Sequence, residues 1–326
     1  MSYQKPTIHH PALPTNALGY TRRDYEGAVS TLCAGCGHDA ISAAIVQACF
    51  ELDLAPHRLA KLSGIGCSSK TPAYFLSNSH GFNSVHGRMP SVLTGANLAN
   101  RELIYLGVSG DGDSASIGLG QFAHAVRRGV NMVYVIENNG VYGLTKGQFS
   151  ATADQGSKSR KGAVNADTPI DLAALALQLG ATFVARSFSG DKDQLVPLLK
   201  AALRHRGAAV IDVLSPCVTF NNHAGSTRSY DYVREHDNPV TALDPADQLR
   251  RLADDFDATD RAAALQALLH HQERGEIVTG LLFLDPDAED LHDRLNTVAQ
   301  PLNSLGDGEL CPGTEALAGL NAGWRA

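Results

Sequence analysis

The sequence predicts an α/β protein: a doubly wound, mostly parallel sheet with helices on both faces, followed by a C-terminal extension. Two observations carry the prediction. Strand-like and helix-like segments alternate from about residue 30 to residue 215, the pattern of a parallel sheet buried between helical layers. Glycine turns follow apolar runs, as at Gly64, Gly66, Gly110 and Gly112, where such sheets open ligand crevices. With 326 residues, 44% of them hydrophobic and 19% charged, the chain is long enough to bury a sizeable core. It divides into an N-terminal arm (1–28), a main domain (29–240) and the extension (241–326).

In chain order, residues 41–52 have helical spacing, and 59–62 form a short apolar run before a glycine turn. Residues 103–108 read as a buried strand, 115–128 as a helix and 132–136 as a second buried strand, one strand-helix-strand unit. Thr168 and Pro169 start a helix and Gly180 stops it, which brackets 170–179. A strand at 181–185 leads to a helix over 191–206, ended by basic residues and Gly207, and then to a buried strand at 208–214. Residues 217–240, rich in Asn, His, Ser, Arg and Tyr, read as a functional loop. Beyond residue 243 come one or two helices, including the amphipathic stretch 249–269, a strand at 277–284, a helix near 288–298 and a tail.

A net charge of −7 offers no basic surface for nucleic acid or anionic membrane, so neither is expected as a partner. Apolar runs stay far below the roughly 20 residues of a membrane helix. The N-terminus lacks the charged-then-apolar layout of a secretory signal, and a cytoplasmic location is expected. Six cysteines, two in a Cys-x-x-Cys, are there metal or redox ligands rather than disulfides.

Two constellations carry chemistry. Asp111, in Gly110-Asp111-Gly112, and Asn139 sit just past the ends of two parallel strands joined by one crossover helix, so their side chains converge. A small hard cation such as Mg2+ takes few oxygens from protein and the rest from phosphate and water. Asp111 supplies a carboxylate and Asn139 an amide oxygen. Gly110 and Gly112 let backbone approach phosphate, and the following helix presents free amides to it. The second constellation is Cys33, Cys36, Cys67 and Cys217, all in loops, whereas Cys49 reads as core and Cys311 is given no role. Ligation chemistry alone leaves zinc and an iron-sulfur cluster both open. A redox centre in the same domain as the phosphate site is the simpler choice.

The Gly-Asp-Gly turn followed by Asn138-Asn139 resembles the signature of thiamine-diphosphate enzymes, which implies the backbone carbonyl of Val141 as third metal ligand. The four cysteines, with Gly35-Cys36-Gly37-His38, Ile65-Gly66-Cys67-Ser68, His86-Gly87-Arg88, the run Tyr142-Gly143-Leu144-Thr145-Lys146-Gly147-Gln148 and Ser215-Pro216-Cys217, resemble the beta subunits of 2-oxoacid:ferredoxin oxidoreductases. The resemblance runs from about residue 33 to residue 221. Ala34 and Leu32 depart from it, standing where the family has proline and an aromatic residue, a change of packing rather than of ligation.

By this resemblance the sheet is of the thiamine-diphosphate-binding type. Ile65, Gly66, Cys67, Ser68, His86, Gly112, Asp113, Gly143 and Leu144 would contact thiamine diphosphate. Asp111, Asn139 and Val141 would hold Mg2+, and Cys33, Cys36, Cys67 and Cys217 a [4Fe-4S] cluster. Lys70 and Leu144 would face the substrate. The implied activity is coenzyme A-dependent oxidative decarboxylation of a 2-oxoacid, 2-oxoglutarate before pyruvate or a broad range, with electrons passed to ferredoxin, or the reverse carboxylation. This chain has no second alternating half to supply the glutamate that activates thiamine. An alpha subunit would provide it, in an (alpha-beta)2 heterotetramer. A non-oxidative thiamine decarboxylase and a zinc-stabilised scaffold are the alternatives.

Overall fold

The computed structural model describes residues 10–159, 161–244, 248–253, 256–311 and 313–325; residues 1–9 of the predicted arm lie outside these. The chain runs through α1 (Gly37–Glu51), β1 (Leu59–Ser63), β2 (His80–Asn83), α2 (Met89–Ala99), β3 (Ile104–Gly110), α3 (Leu119–Arg127) and β4 (Met132–Asn138). A small antiparallel pair, β5 (Val141–Tyr142) and β6 (Gln148–Phe149), follows, then α4 (Leu172–Gln178), β7 (Phe183–Phe188), α5 (Lys192–Arg204) and β8 (Ala208–Leu214). The last part holds α6 (Tyr230–His236), β9 (Asp237–Pro239), the β10 (Thr241–Leu243) and β11 (Leu249–Arg251) hairpin, α7 (Arg261–Glu273), β12 (Ile277–Leu284), α8 (Leu291–Leu295), α9 (Asp307–Leu310) and α10 (Gly313–Gly323).

One 8-stranded sheet takes the order β2-β1-β3-β4-β8-β7-β12-β9. Neighbours are parallel except β12 on β7, so the doubly wound α/β architecture expected from the alternation is present. β4 is buried along its whole length, as a strand covered on both faces must be. Met132, Tyr134 and Ile136 enter one core layer and Val133 and Val135 the other. The same alternation aims Glu137 to the α1 side and Asn138 to the opposite side, where it bonds Asp212. The sheet edges are short: β2 has 4 residues and β9 has 3.

Several elements differ from expectation for identifiable reasons. The helix expected over 115–128 is split into a π-helical turn, Gly112–Ile117, and α3. At the joint the Gly118 amide donates to the Asp113 carbonyl at 2.9 Å, and a β-carbon on Gly118 would sit 2.9 Å from the Gly87 Cα. The expected helix at 170–179 starts after Asp171, whose carboxylate accepts from the Ala174 amide. The loop at 217–240 contains α6, seeded by the Ser229 cap, because polar composition hid a helix whose only fully buried anchor is Val233. The amphipathic stretch 249–269 opens with β11 and becomes helical only after the Asp260 cap. β9 and β12, on either side of residue 241, share one sheet. Among the described residues no helix is long and apolar enough to cross a membrane.

Lys61 on β1 points into the interior, its Nζ donating to the carbonyls of Phe75 and Leu76 at 2.6 and 2.8 Å. These clamp a turn in which Leu76 holds a φ of +44°, costly for a branched side chain. Burial lowers the Lys61 pKa from 10.5 to about 8, so between those pH values the unfolded chain binds more protons and stability rises with pH. Comparing unfolding free energies of the wild type and Lys61→Met from pH 7 to 10.5, the wild type should gain on the variant above pH 8. Parallel curves would remove this group from the pH dependence.

Candidate active site and metal centre

The C-terminal ends of β1, β3 and β4 enclose a cavity of about 40 Å³. Of the predicted cofactor contacts, Ile65, Gly66, Cys67, Ser68, His86, Gly112, Asp113, Gly143 and Leu144 all line it. So do the predicted metal ligands Asp111, Asn139 and Val141. A larger cavity of about 180 Å³ opens on the other face of the sheet and contains none of them. Its principal charges are already paired, with Arg186 bonded to both Asp171 and Asp212. We therefore take the smaller cavity as the site.

Asp111, 1% exposed, is held by four donors. The Asn139 amide donates to Oδ1 at 3.2 Å. Oδ2 accepts from the Gly140 amide at 3.1 Å, from Thr152 Oγ1 at 2.6 Å and from Ser150 Oγ. Oδ2 is thus saturated and Oδ1 keeps a lone pair free, which sets one oxygen for structure and one for a ligand. Burial nevertheless raises the Asp111 pKa against the pull of those donors, a shift that a nearby cation reverses. Asn139 Oδ1 accepts from the Val141 amide at 3.0 Å, and the Asn139 carbonyl accepts from Asn221 Nδ2 at 2.8 Å. At Gly112 a β-carbon would lie 2.7 Å from the Tyr142 ring, so this turn requires glycine.

The cysteines arrive from three separated segments. Cys33 and Cys36 form a turn closed by the Cys36 amide on the Cys33 carbonyl at 3.0 Å. The Gly37 amide then donates to the Pro216 carbonyl at 3.3 Å, drawing that turn to Cys217. A β-carbon on Gly143 would be 3.6 Å from both the Cys67 and the Cys217 Sγ, so these sulfurs are neighbours. Thr219 Oγ1 lies 3.6 Å from the Cys33 Sγ. Burial pushes the Cys36 thiol up to about 12, helped by the fields of Glu137 and Cys217. Cys67 is raised by burial and by Cys217 and Cys33. Among the described residues no three His, Cys, Asp or Glu side chains form a ready single-ion site. Cys49 is buried in the core and Cys311 exposed in the tail.

His38 joins the two constellations. Its ring is 1% exposed, and burial lowers its pKa to about 4, so it is neutral. Nε2 accepts from Asn139 Nδ2 at 3.3 Å, and Nδ1 donates to Ser215 Oγ at 2.6 Å. Beside it Glu137 is fully buried, its Oε2 3.4 Å from His38 Nδ1, and burial drives its pKa well above the ordinary value. Lys70 does not line the cavity; its Nζ donates to Thr31 Oγ1 at 3.1 Å, just before the cysteine turn. Leu144 does line it and is 49% exposed. Sequence reasoning missed Glu137, Ser150 and Thr152. The signal for the last two was a Ser-x-Thr shortly after the Asn139 turn.

The fold and cavity define the thiamine-dependent class, and a family model described as thiamine pyrophosphate enzyme, C-terminal TPP binding domain, matches residues 64–213. The chain is 46% identical over 194 residues to 2-oxoacid:ferredoxin oxidoreductase 1, subunit beta, of Aeropyrum pernix, covering 59% of this chain and 60% of that one. It is 30% identical to 2-oxoglutarate synthase subunit KorB of Methanocaldococcus jannaschii over 88% of this chain and 98% of that one. A solved 2-oxoglutarate:ferredoxin oxidoreductase from Magnetococcus marinus, with 2-oxoglutarate, coenzyme A and succinyl-CoA bound, superposes with a TM-score of 0.75 at 32% identity, covering 89% of this chain and 94% of that one. The chain belongs to the family of 2-oxoacid:ferredoxin oxidoreductase beta subunits.

Thr152→Val keeps shape but removes one donor to a buried carboxylate. It should lower the unfolding free energy by about 1.5–3 kcal/mol, the value of a hydrogen bond to a charged group, measured by denaturant titration. Unchanged stability would mean that Ser150 and the Gly140 amide suffice to hold Oδ2.

Proposed function

We propose that this chain is the catalytic beta subunit of a cytoplasmic oxidoreductase that takes a 2-oxoacid, 2-oxoglutarate foremost, with coenzyme A and oxidised ferredoxin to acyl-CoA, carbon dioxide and reduced ferredoxin, or runs the reverse carboxylation. The observation that carries the proposal is that Cys67 lines the same cavity as Asp111 and Asn139, so a sulfur-held redox group and a diphosphate-held cofactor would be neighbours. The names of the Methanocaldococcus and Magnetococcus relatives support 2-oxoglutarate. All six cysteines are unpaired, as a reducing compartment keeps them.

The residues fit the implied groups. Asp111 Oδ1, Asn139 Oδ1 and the Val141 carbonyl are hard oxygens suited to Mg2+, with the rest of its shell left to diphosphate and water. The glycines at 66, 110, 112 and 143 would keep side chains out of the way of thiamine diphosphate, which Ile65, Ser68, His86, Asp113 and Leu144, lining the same cavity, would contact. Cys33, Cys36, Cys67 and Cys217 would hold a [4Fe-4S] cluster, whose potential their hydrogen bonds and burial tune. Thiamine diphosphate supplies the electron sink for decarboxylation, and the cluster a one-electron exit. The protein's part is to anchor the diphosphate, exclude water and keep both groups adjacent. Lys70 Nζ, beside the cysteine turn, is the candidate partner for a substrate carboxylate.

Part of the cavity rim is apolar and open: Ile65 and Leu144, which line it, are 39% and 49% exposed. Such a rim supports a covering partner, here an alpha subunit bringing the activating glutamate in an (alpha-beta)2 assembly. Anaerobic co-purification with that subunit, followed by iron, sulfide and thiamine assay, should find one thiamine and about four irons per beta chain. Asp111→Ala should lose at least tenfold in thiamine diphosphate affinity, and Cys33→Ser should lose iron while keeping thiamine. Zinc in place of iron, or thiamine retention unaffected by Asp111→Ala, would refute the assignment.

A further inference from the structure

One end of the Asn139 side chain lies 3.0 Å from the Val141 amide. A backbone N–H can only donate, so that end is Oδ1, and the other end, Nδ2, faces His38. A single bond of this kind holds the oxygen but lets the amide swing about it. The second bond, from Nδ2 to His38 Nε2 at 3.3 Å, fixes the plane of the amide. With the plane fixed, so is the direction of the Oδ1 lone pair that the Val141 amide leaves free, the one a cation in the cavity would use.

His38 accepts from Nδ2 only if Nε2 carries no hydrogen, which places the ring proton on Nδ1. Ser215 Oγ, 2.6 Å from Nδ1, then accepts that proton's bond, so the two neighbours together set the tautomer. Ser215 is itself immobile. It is fully buried, its amide donates to the Asn138 carbonyl at 2.8 Å, and a β-carbon on Gly37 would come within 2.6 Å of its hydroxyl. Glycine at 37 thus lets the start of α1 seat directly on Ser215, and this seating carries the next residue, His38, to Asn139.

We propose that His38 is a positioning residue of the metal site: it holds the Asn139 amide with Oδ1 aimed into the cavity, and Ser215 keeps His38 in the tautomer that can do so. The proposal rests on the reading of Asn139 as a ligand of the divalent cation and deepens it. His38 touches neither cation nor cofactor in this role and acts only through Asn139. No bond is made or broken; what His38 controls is where a neutral oxygen points. Asp111 needs no such partner, since either end of a carboxylate is an oxygen, whereas an amide has a wrong end.

The test uses the co-purified complex with His38→Asn, His38→Gln, Asn139→Ala and the double variant His38→Asn/Asn139→Ala. Asparagine at 38 reaches about as far as Nδ1, so it keeps a donor for Ser215 and loses the acceptor for Asn139; glutamine puts Oε1 near the position of Nε2. The apparent dissociation constant of Mg2+ is measured by calorimetry with thiamine diphosphate at a fixed concentration. His38→Asn should weaken it about tenfold, the low end of what losing a ligand's orienting partner costs, and His38→Gln should recover most of the loss. In the Asn139→Ala background His38→Asn should add nothing, because no amide is left to aim. A residue that only supports the fold would cost the same in both backgrounds. Should His38→Asn not fold, Ser215→Ala carries the same cycle, with a smaller loss that again vanishes beside Asn139→Ala. Equal losses in the two backgrounds, His38→Gln as weak as His38→Asn, or wild-type Mg2+ affinity in both His38→Asn and Ser215→Ala overturns the inference while Asn139→Ala still weakens Mg2+. If Asn139→Ala leaves Mg2+ affinity unchanged, the assignment of Asn139 to the metal falls, and the inference with it.

Discussion

The site depends on keeping one carboxylate ionisable in an environment that resists charge. Asp111 lies beneath the cavity with almost no exposure, and an isolated carboxylate there would be strongly penalised. Two backbone amides from the turn after β4 and two hydroxyls after β6 replace the water it loses. Both sets of donors are in place only because β3 and β4 are adjacent and parallel, with Gly110 paired to Glu137. The sheet register and the state of Asp111 are thus one constraint. Any shift of β4 against β3 would strip the carboxylate of its amides.

The cysteine side follows from the same sheet by a different route. Cys67 leaves the end of β1 and Cys217 the end of β8, strands separated by β3 and β4, while Cys33 and Cys36 precede α1. What gathers them is the backbone bond from Gly37 to Pro216 and the buried His38, which reaches Ser215 on one side and Asn139 on the other. A neutral imidazole suits this position, because it offers one donor and one acceptor to partners that need one of each. The beta-subunit family pattern Gly-Cys-Gly-His therefore has a mechanical meaning here: the cysteine is followed by the residue that locks its loop onto the neighbouring centre.

Much of this was legible in the sequence. Strand-helix alternation fixed the architecture, and Asp111 with Asn139 could be placed at facing strand ends because a single crossover helix joins β3 to β4. The resemblance supplied the partners that spacing could not, such as Cys217 for Cys67. Other features were hidden for physical reasons. Ser150 and Thr152 act through a hairpin whose strands are 2 residues each, too short to leave periodicity. Glu137 reads as an interruption in an apolar strand, and only its burial marks it as unusual. The mixed composition of 249–269 suited a helix throughout, yet pairing with β10 claimed its first residues.

The sheet margins have a consequence for how copies of this molecule can meet. One border is β2, exposed along its 4 residues; the other is β9, 3 residues long and ending in Pro239, which has no amide hydrogen to offer. Neither presents a run of backbone long enough to template a foreign strand, the usual route by which α/β sheets fuse into larger aggregates. Growth by sheet extension is closed at both borders, which leaves side-chain surfaces, among them the exposed Ile65 and Leu144 of the cavity, as the places where oligomers of this protein can be built.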